Sequence, residues 1–183
     1  MIYELAAITI LEELVALEPG TFADISAECG FSFFEKLPKT PLSVTASECG
    51  GALFSDYYYC DNVPLFSERA YKMIAGELQK NVFIRDVEIY SPLARKSAGY
   101  KMVLPQRIDC IDKARSVLRP IIPGIPDMPL RAEVLVISEK MLGNTSIFKV
   151  RGISDNNIYV RKNIRNILDT PELNGIELLP LGE

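Results

Sequence analysis

The sequence contains no histidine and no tryptophan. Without histidine, Ser–His and Cys–His nucleophile pairs, histidine-bearing zinc sites and the His-x-Glu zinc deaminase centre are all excluded. Carboxylates, lysine, tyrosine and cysteine can still do chemistry, so the absence favours binding over catalysis without proving it. Cysteine is sparse. Cys29, Cys49, Cys60 and Cys110 form no Cys-x-x-Cys pair, which leaves a zinc ribbon or a thioredoxin-like site without support. Cys29 and Cys49 both sit in Glu-Cys-Gly triplets, but with no second ligand nearby the echo is coincidence rather than a metal site. The four read as reduced, mostly buried thiols of a cytoplasmic protein. No Walker loop, dinucleotide fingerprint, Gly-x-Ser-x-Gly elbow or metal-ligand spacing is present, and no cofactor is expected. Long apolar runs are lacking too. The run from Leu5 to Leu11 is flanked by Glu4, Glu12 and Glu13 and has no basic lead, so neither a signal peptide nor a membrane span is expected.

What is there suits a globular chain. At 183 residues, with 48% hydrophobic and 24% charged side chains, it is long enough to bury roughly 70% of its unfolded surface without metals or disulfides. We expect one domain over 1–183, with a looser subregion at 1–55 and a core at 56–183. The net charge of −4 argues against nucleic acid as a partner. That charge is uneven: residues 1–63 carry −8 and residues 64–183 carry +4. An acidic third suggests a negative face for a basic partner; the plainer alternative is a solvated surface that maintains solubility.

Patterning predicts an α+β fold, a mainly antiparallel sheet with a few packed helices. Ile2 to Ile10 suits a strand, while Leu5, Ile8, Leu11 and Leu14 also suit a helix ended by Pro19-Gly20; a strand running into a short helix is the favoured reading, and residues 21–63 suit short strands and loops. Ser67 is a good N-cap, Phe66 and Tyr71 have staple spacing, and Tyr71, Ile74 and Leu78 make one stripe to about Lys80. Val82 and Ile84 are out of phase with Val87 and Ile89, which predicts a bulge near Arg85 or Asp86. Tyr100, Met102, Leu104, Ile108 and Cys110 share one parity, with Pro105 as an edge or break. Asp112 is placed as the cap of a helix over Lys113 to Leu118. Pro120, Pro123, Pro126 and Pro129 recur every third residue, the period of polyproline II; beside Arg119 they could dock in an SH3-like groove, or simply stiffen a connection. Strands are predicted at Ala132 to Ile137, Ile147 to Val150, Ile158 to Val160 and Ile176 to Leu181. The middle two form a hairpin through Asp155-Asn156-Asn157. Ser138 caps a short turn, and a helix carrying Ile164, Ile167 and Leu168 ends near Asp169 before Pro171.

Two motifs could carry function. Asp109 and Asp112 are three apart, a weak acid/base pair. Asp56-Tyr57-Tyr58-Tyr59-Cys60-Asp61 is richer, because tyrosine beside carboxylates suits a basic protein surface, although tyrosine is also an amphipathic filler of core strands. With Glu12 and Glu13, the residues Asp56, Tyr57, Tyr58, Tyr59 and Asp61 are the candidate partner-binding set.

Four segments carry a family resemblance: VPLFSERAYKMI (63–74), YKMVLPQRIDCID (100–112), AEVLVISEKMLGNTSIFKVRG (132–152) and IYVRKNIRNILDTPELNGIELLPL (158–181). In order and spacing this resembles the eleventh immunity-protein family of bacterial polymorphic toxin systems. The matching residues are Ser67, Glu68, Tyr100, Cys110, Ile111, Asp112, Ile147, Phe148, Gly175, Ile176 and Pro180, within 56–183. The resemblance implies a protein without catalytic residues that neutralises a cognate toxin by tight binding in the producing cell. A basic toxin would then be drawn in by charge complementarity. The rival readings are a small enzyme using carboxylates or a Cys–Lys pair, with a concave pocket and perturbed pKa values, and an adaptor docking through an exposed, extended 119–130. The toxin, the interface and the oligomeric state are not readable from the sequence.

Overall fold

The structure, a computed structural model, describes residues 1–8, 14–18, 21–22, 40–48, 50–78, 82–125 and 129–181. Within them the chain builds two five-stranded sheets and a two-stranded ribbon. In the first sheet β1 (Ile2–Ala7) lies antiparallel between β11 (Ile158–Arg161), the central strand, and β12 (Ile176–Pro180) at an edge. Beyond β11 come β10 (Ile147–Val150), antiparallel to it, and β7 (Arg107–Ile108), parallel to β10. The second sheet has the order β2 (Leu42–Thr45), β5 (Val82–Ser91), β6 (Lys96–Pro105), β4 (Val63–Ser67), β3 (Tyr57–Cys60). In the ribbon β8 (Val117–Pro120) pairs with β9 (Leu130–Val134). The helices are short: α1 (Glu68–Ile74) with a 3-10 turn behind it, α2 (Glu139–Leu142) and α3 (Lys162–Leu168).

The α+β class holds, but the protein is mostly strand and its sheets are mixed rather than purely antiparallel. Each large sheet carries one parallel pair at an edge, β2–β5 and β7–β10. Parallel neighbours need a long crossover, and residues 46–81 and 109–146 supply the two connections.

Three apolar clusters hold the layers together. The central one lies between the sheets and takes Tyr3, Leu5, Ile158 and Val160 from the first, Tyr57, Phe66 and Val103 from the second, and Ala70, Ile74, Ile164 and Leu168 from α1 and α3. A second covers the far face of the second sheet, with Leu65, Val87, Ile89, Tyr100 and Met102. The third covers the far face of the first sheet, where Ile2, Phe148, Val150 and Tyr159 meet Cys110, Ile111, Leu135 and Leu142. A sheet covered on both faces takes continuous apolar strands. All four residues of β10 are accordingly buried, including Lys149, whose ammonium donates to the Asn62 carbonyl oxygen at 2.8 Å.

The expected bulge is absent. β5 and β6 pair without a register shift from Val82↔Pro105 to Ser91↔Lys96. Val82 packs on the central cluster at the start of the strand, Phe83, Val87 and Ile89 pack on the opposite one, and Ile84 is exposed, so the phase conflict is settled by one strand end and one exposed side chain. Ser67 caps α1 as expected, its Oγ accepting from the Ala70 N–H at 3.1 Å. The helix stops at Ile74, shorter than its stripe suggested. Pro105 does break the strand, and the chain then leaves the second sheet for the first as β7. The helix expected after Asp112 is a single turn. Asp112 Oδ1 accepts from the N–H groups of Ala114 and Arg115, and the chain then extends into β8. The hairpin β10–β11, the strand Ile2–Ala7 and the closing strand stand as predicted. The short helix expected after that first strand falls largely outside the described residues.

The proline segment forms the tip of the β8–β9 ribbon. Pro120 ends one strand and Leu130 opens the next. Between them Gly124 takes φ +85°, and the Ile125 N–H points back at the Ile122 carbonyl oxygen. Ile121, Ile122 and Ile125 are exposed on this tip. A turn with positive φ interrupts the three-residue repeat, so the described part is not a continuous polyproline helix; Pro126 lies outside the described residues. No helix among the described residues is long and apolar enough to cross a membrane.

Candidate functional site

Two polar clusters of opposite electrostatic character stand out, one joining the two sheets and one on β1 beside the loop that leads into β11. The first is built on Asp56, whose side chain is only 6% exposed. It accepts from Ser67 Oγ at 2.5 Å, from Arg69 Nε at 3.3 Å and Nη2 at 2.5 Å, and from the Asn174 N–H at 3.0 Å. Its own N–H donates to Asn174 Oδ1 at 2.9 Å, and its carbonyl accepts from the Ser67 N–H. Burial alone would raise the pKa of Asp56. The hydrogen bonds from Arg69, Ser67 and Asn174, with the charge of Arg69, outweigh it and hold the carboxyl below its ordinary 3.8. Asp56 thus ties the α1 cap to the turn that feeds β12. Gly175 completes the joint: it takes φ +73°, and a Cβ there would lie 1.7 Å from Ser55 Oγ.

The tyrosines beside it are largely structural as well. Tyr57 is 1% exposed in the central cluster and Tyr58 is 9% exposed in the opposite one. Tyr58 Oη accepts from the Ser55 N–H, and the Tyr100 hydroxyl donates to the Ser55 carbonyl. Asp56, Tyr57 and Tyr58 therefore do not form the exposed partner surface expected of them. β3 has both faces covered, and the alternation that should have exposed one tyrosine sends each into a different core. Tyr59 is half-buried, its hydroxyl donating to the Asn156 carbonyl and its ring 5.8 Å from the Lys149 ammonium. Asp61, also half-buried, accepts from the Phe22 N–H at 2.8 Å. Glu12 and Glu13 lie outside the described residues.

The second cluster was not singled out from the sequence. Glu4 stands on β1, paired across to Tyr159 on β11. Asp155 comes from the loop leading into β11, and its Oδ2 accepts from the Tyr159 hydroxyl at 3.3 Å. Its Oδ1 is buried with no hydrogen-bond partner, and so is the hydroxyl of Tyr57. The Glu4 pKa is raised, first by burial and then by the charge of Asp155, against a hydrogen bond from Asn157. Asp155 is also raised, chiefly by burial, although Tyr159, Asn157 and Arg107 oppose the shift. Burial followed by the charges of Tyr59 and Glu4 lifts Tyr57 far above its ordinary value. Arg107, the nearby cation, is engaged elsewhere, donating to Asn156 Oδ1 and to the Val150 carbonyl oxygen. The cluster has more acceptors than donors.

Comparison with protein-family models and with curated proteins found no match. The immunity-family resemblance therefore stands on its own motif residues. These are framework: Ser67 caps α1, Tyr100 and Phe148 are buried in separate cores, Cys110 is fully buried, and Gly175 closes on Ser55.

Other reactive groups are held in unreactive forms. Burial and the neighbouring Asp61 push the Cys60 thiol up to about 12, and burial with Asp109 pushes Cys110 to about 11. A shallow hollow of about 280 Å³ over β5 and β6 is lined by Glu68, Asp86, Glu88 and Lys101. Within it Lys101 pairs with Asp86, which raises the lysine pKa and keeps it charged. Glu68 pairs with Lys72 at 3.7 Å.

The signal for the missed cluster was present in the sequence. Glu4 is an acid on the same strand phase as Ile2 and Ala6, inside an otherwise apolar strand. A lone charge at such a position calls for a partner.

Proposed function

We propose that this protein is a non-catalytic binder of the immunity type, which silences a toxin in the producing cell by stoichiometric association, and that the toxin presents a basic surface. The observation that carries the reading is the seam at Glu4 and Asp155. Two half-buried carboxylates with too few donors are disfavoured in isolation and are relieved by an incoming positive charge. The order and spacing of the motif segments over 56–183 support the same family of function. The thiols of Cys60 and Cys110 and the lysine of the hollow have pKa values displaced away from nucleophilic or basic use, which weighs against a Cys–Lys enzyme built on those described residues. An acid/base enzyme built on Glu4 and Asp155 is the rival that shares the same residues.

The test is co-expression. The toxin encoded beside this chain is induced with and without it, and growth is scored, followed by size-exclusion chromatography of the mixed proteins. Rescue of growth with a stable stoichiometric complex is expected. Rescue without a complex, or no rescue at all, would overturn the reading.

A further inference from the structure

We infer that the open face of the second sheet, over β2, β5 and β6, is a docking surface for a basic protein partner, and that the hollow in it takes one Arg or Lys side chain between Glu68 and Glu88. The inference rests on the binder reading above and adds a contact that lies open to solvent.

Three observations carry it. First, part of this face has no layer over it. The central cluster covers it at Val82 and Val103. Beyond that end the same phase of β5, running through Ile84, Asp86, Glu88 and Tyr90, is exposed, and so are Ser43 and Thr45, paired with Glu88 and Tyr90 from β2. Ile84 is 39% and Tyr90 44% exposed, so two large side chains flank the carboxylates in the open. An exposed tyrosine and isoleucine beside charged groups have the make-up of a protein contact. Second, the hollow has a structural cause. Glu88 is paired across to Gly99 on β6, so no side chain stands opposite it. The two strands pair without a shift and Gly99 has no positive φ, so neither a bulge nor a turn accounts for this glycine. A strand glycine of that kind marks a place of close approach. Glu68 leans into the gap from α1: a Cβ on Gly99 would lie 3.2 Å from its Oε1. The hollow of about 280 Å³ therefore has a backbone floor and a carboxylate on either side. Third, the lining is of one sign. Glu68, Asp86 and Glu88 face a single ammonium, Lys101, which is committed to Asp86. Lys72 reaches Glu68 at 3.7 Å with both side chains more than half exposed, a pair that exchanges readily. Glu88 has no ion pair among the described residues. A surplus of exposed carboxylates around an open hollow is complementary to a basic partner. The occupant is a side-chain cation rather than a metal ion, since no group of three acidic or cysteine side chains able to hold a metal occurs among the described residues.

The experiment titrates the full ¹⁵N-labelled chain with a hexa-arginine peptide, with hexa-glutamate as the control, at low and at high salt. We expect saturable displacement of the amide signals of Glu88, Tyr90, Ser97 and Gly99 by hexa-arginine alone, weakened as salt screens the carboxylates. Glu88→Gln should lower the affinity about threefold, the worth of one exposed ion pair. Gly99→Ala, which fills the floor of the hollow, should also weaken binding, and both positions are exposed enough for the fold to be kept. The absence of saturable shifts, largest shifts away from this face, equal shifts with hexa-glutamate, or binding unchanged in both variants would overturn the surface. So would movement of the same signals on raising the protein concentration without peptide, because a second copy of the chain would then cover the face. The titration needs no toxin, so the two readings fail separately. Toxin rescue without peptide binding on this face removes the docking surface and leaves the immunity reading, whereas peptide binding here without rescue keeps the surface and removes the toxin.

Discussion

Asp56→Ala tests how the two sheets are joined. The wild-type carboxylate takes four donors: the Ser67 hydroxyl, two guanidinium N–H groups of Arg69 and the Asn174 amide. Losing the acceptor of a buried donor costs about 1–1.5 kcal/mol each for Ser67 and Asn174. The Arg69 share is smaller, about 0.5 kcal/mol, because that side chain is 56% exposed and rehydrates when released. The total is about 3 kcal/mol at neutral pH, which for a chain of this size lowers Tm by about 6–12 °C. The pH dependence supplies a second check. The folded pKa of Asp56 lies below the ordinary 3.8, so its contribution is complete above that value and is lost as pH falls through the folded value. Urea unfolding at pH 7 and near pH 3 should therefore show a large wild-type advantage that shrinks on acidification. Hydrogen exchange should show early loss of protection in β12, which the Asn174 turn feeds. A difference under about 0.5 kcal/mol at pH 7, or one that does not shrink with acid, would refute the account of Asp56 as the joint.

Gly175→Ala should be strongly destabilising, by about 3 kcal/mol, because the backbone is at φ +73° and the new methyl collides with Ser55 Oγ, itself held by the Tyr57 carbonyl; a thermal melt within a degree of wild type would count against it. Tyr57→Phe removes an unpartnered buried hydroxyl and should raise stability by about 1 kcal/mol in urea titration; a loss of stability would mean the hydroxyl has a partner. Glu4→Gln bears on pH. The folded pKa of Glu4 is raised above 4.5, so this residue favours the native state below that value and loses the advantage as pH rises through the folded value. The variant should gain on wild type between acid and neutral pH, and a gap that is constant in thermal melts from pH 4 to 8 would contradict the assignment.

Strands Ile147–Val150, Ile158–Arg161 and Ile176–Pro180, the Ser67 cap and the breaks at Pro105 and Pro171 were legible because their signals act within a few residues, whereas the turn expected at Asp155–Asn157 is the extended end of a longer connection and the strand expected at 132–137 lies at Leu130–Val134. The parallel edge pairs were not legible, since nothing in Leu42–Thr45 records that β5 will lie beside it. The Val82/Val87 phase conflict needs no bulge: Val82 packs on the central cluster at the start of β5, and Ile84 in the same phase is exposed while Val87 and Ile89 are buried in the other. The Asp56 to Asp61 motif misled because period-2 patterning identifies a buried face only when the other face is wet. Tyrosines on alternating faces imply one exposed ring only if one face is exposed, and β3 has none.

The acidic third therefore divides by partner rather than by sequence position. Asp56 and Glu4 belong to the same excess of negative charge, yet they contribute oppositely to the fold. Asp56 has gathered a cation, a hydroxyl and a backbone amide, so its charge stabilises the native state and is spent internally. Glu4 has gathered a second carboxylate and an Asn amide, so its charge opposes the native state. Net charge counts the two alike. Only the hydrogen-bond inventory separates them, and it moves the search for a contact surface away from the tyrosine run on β3.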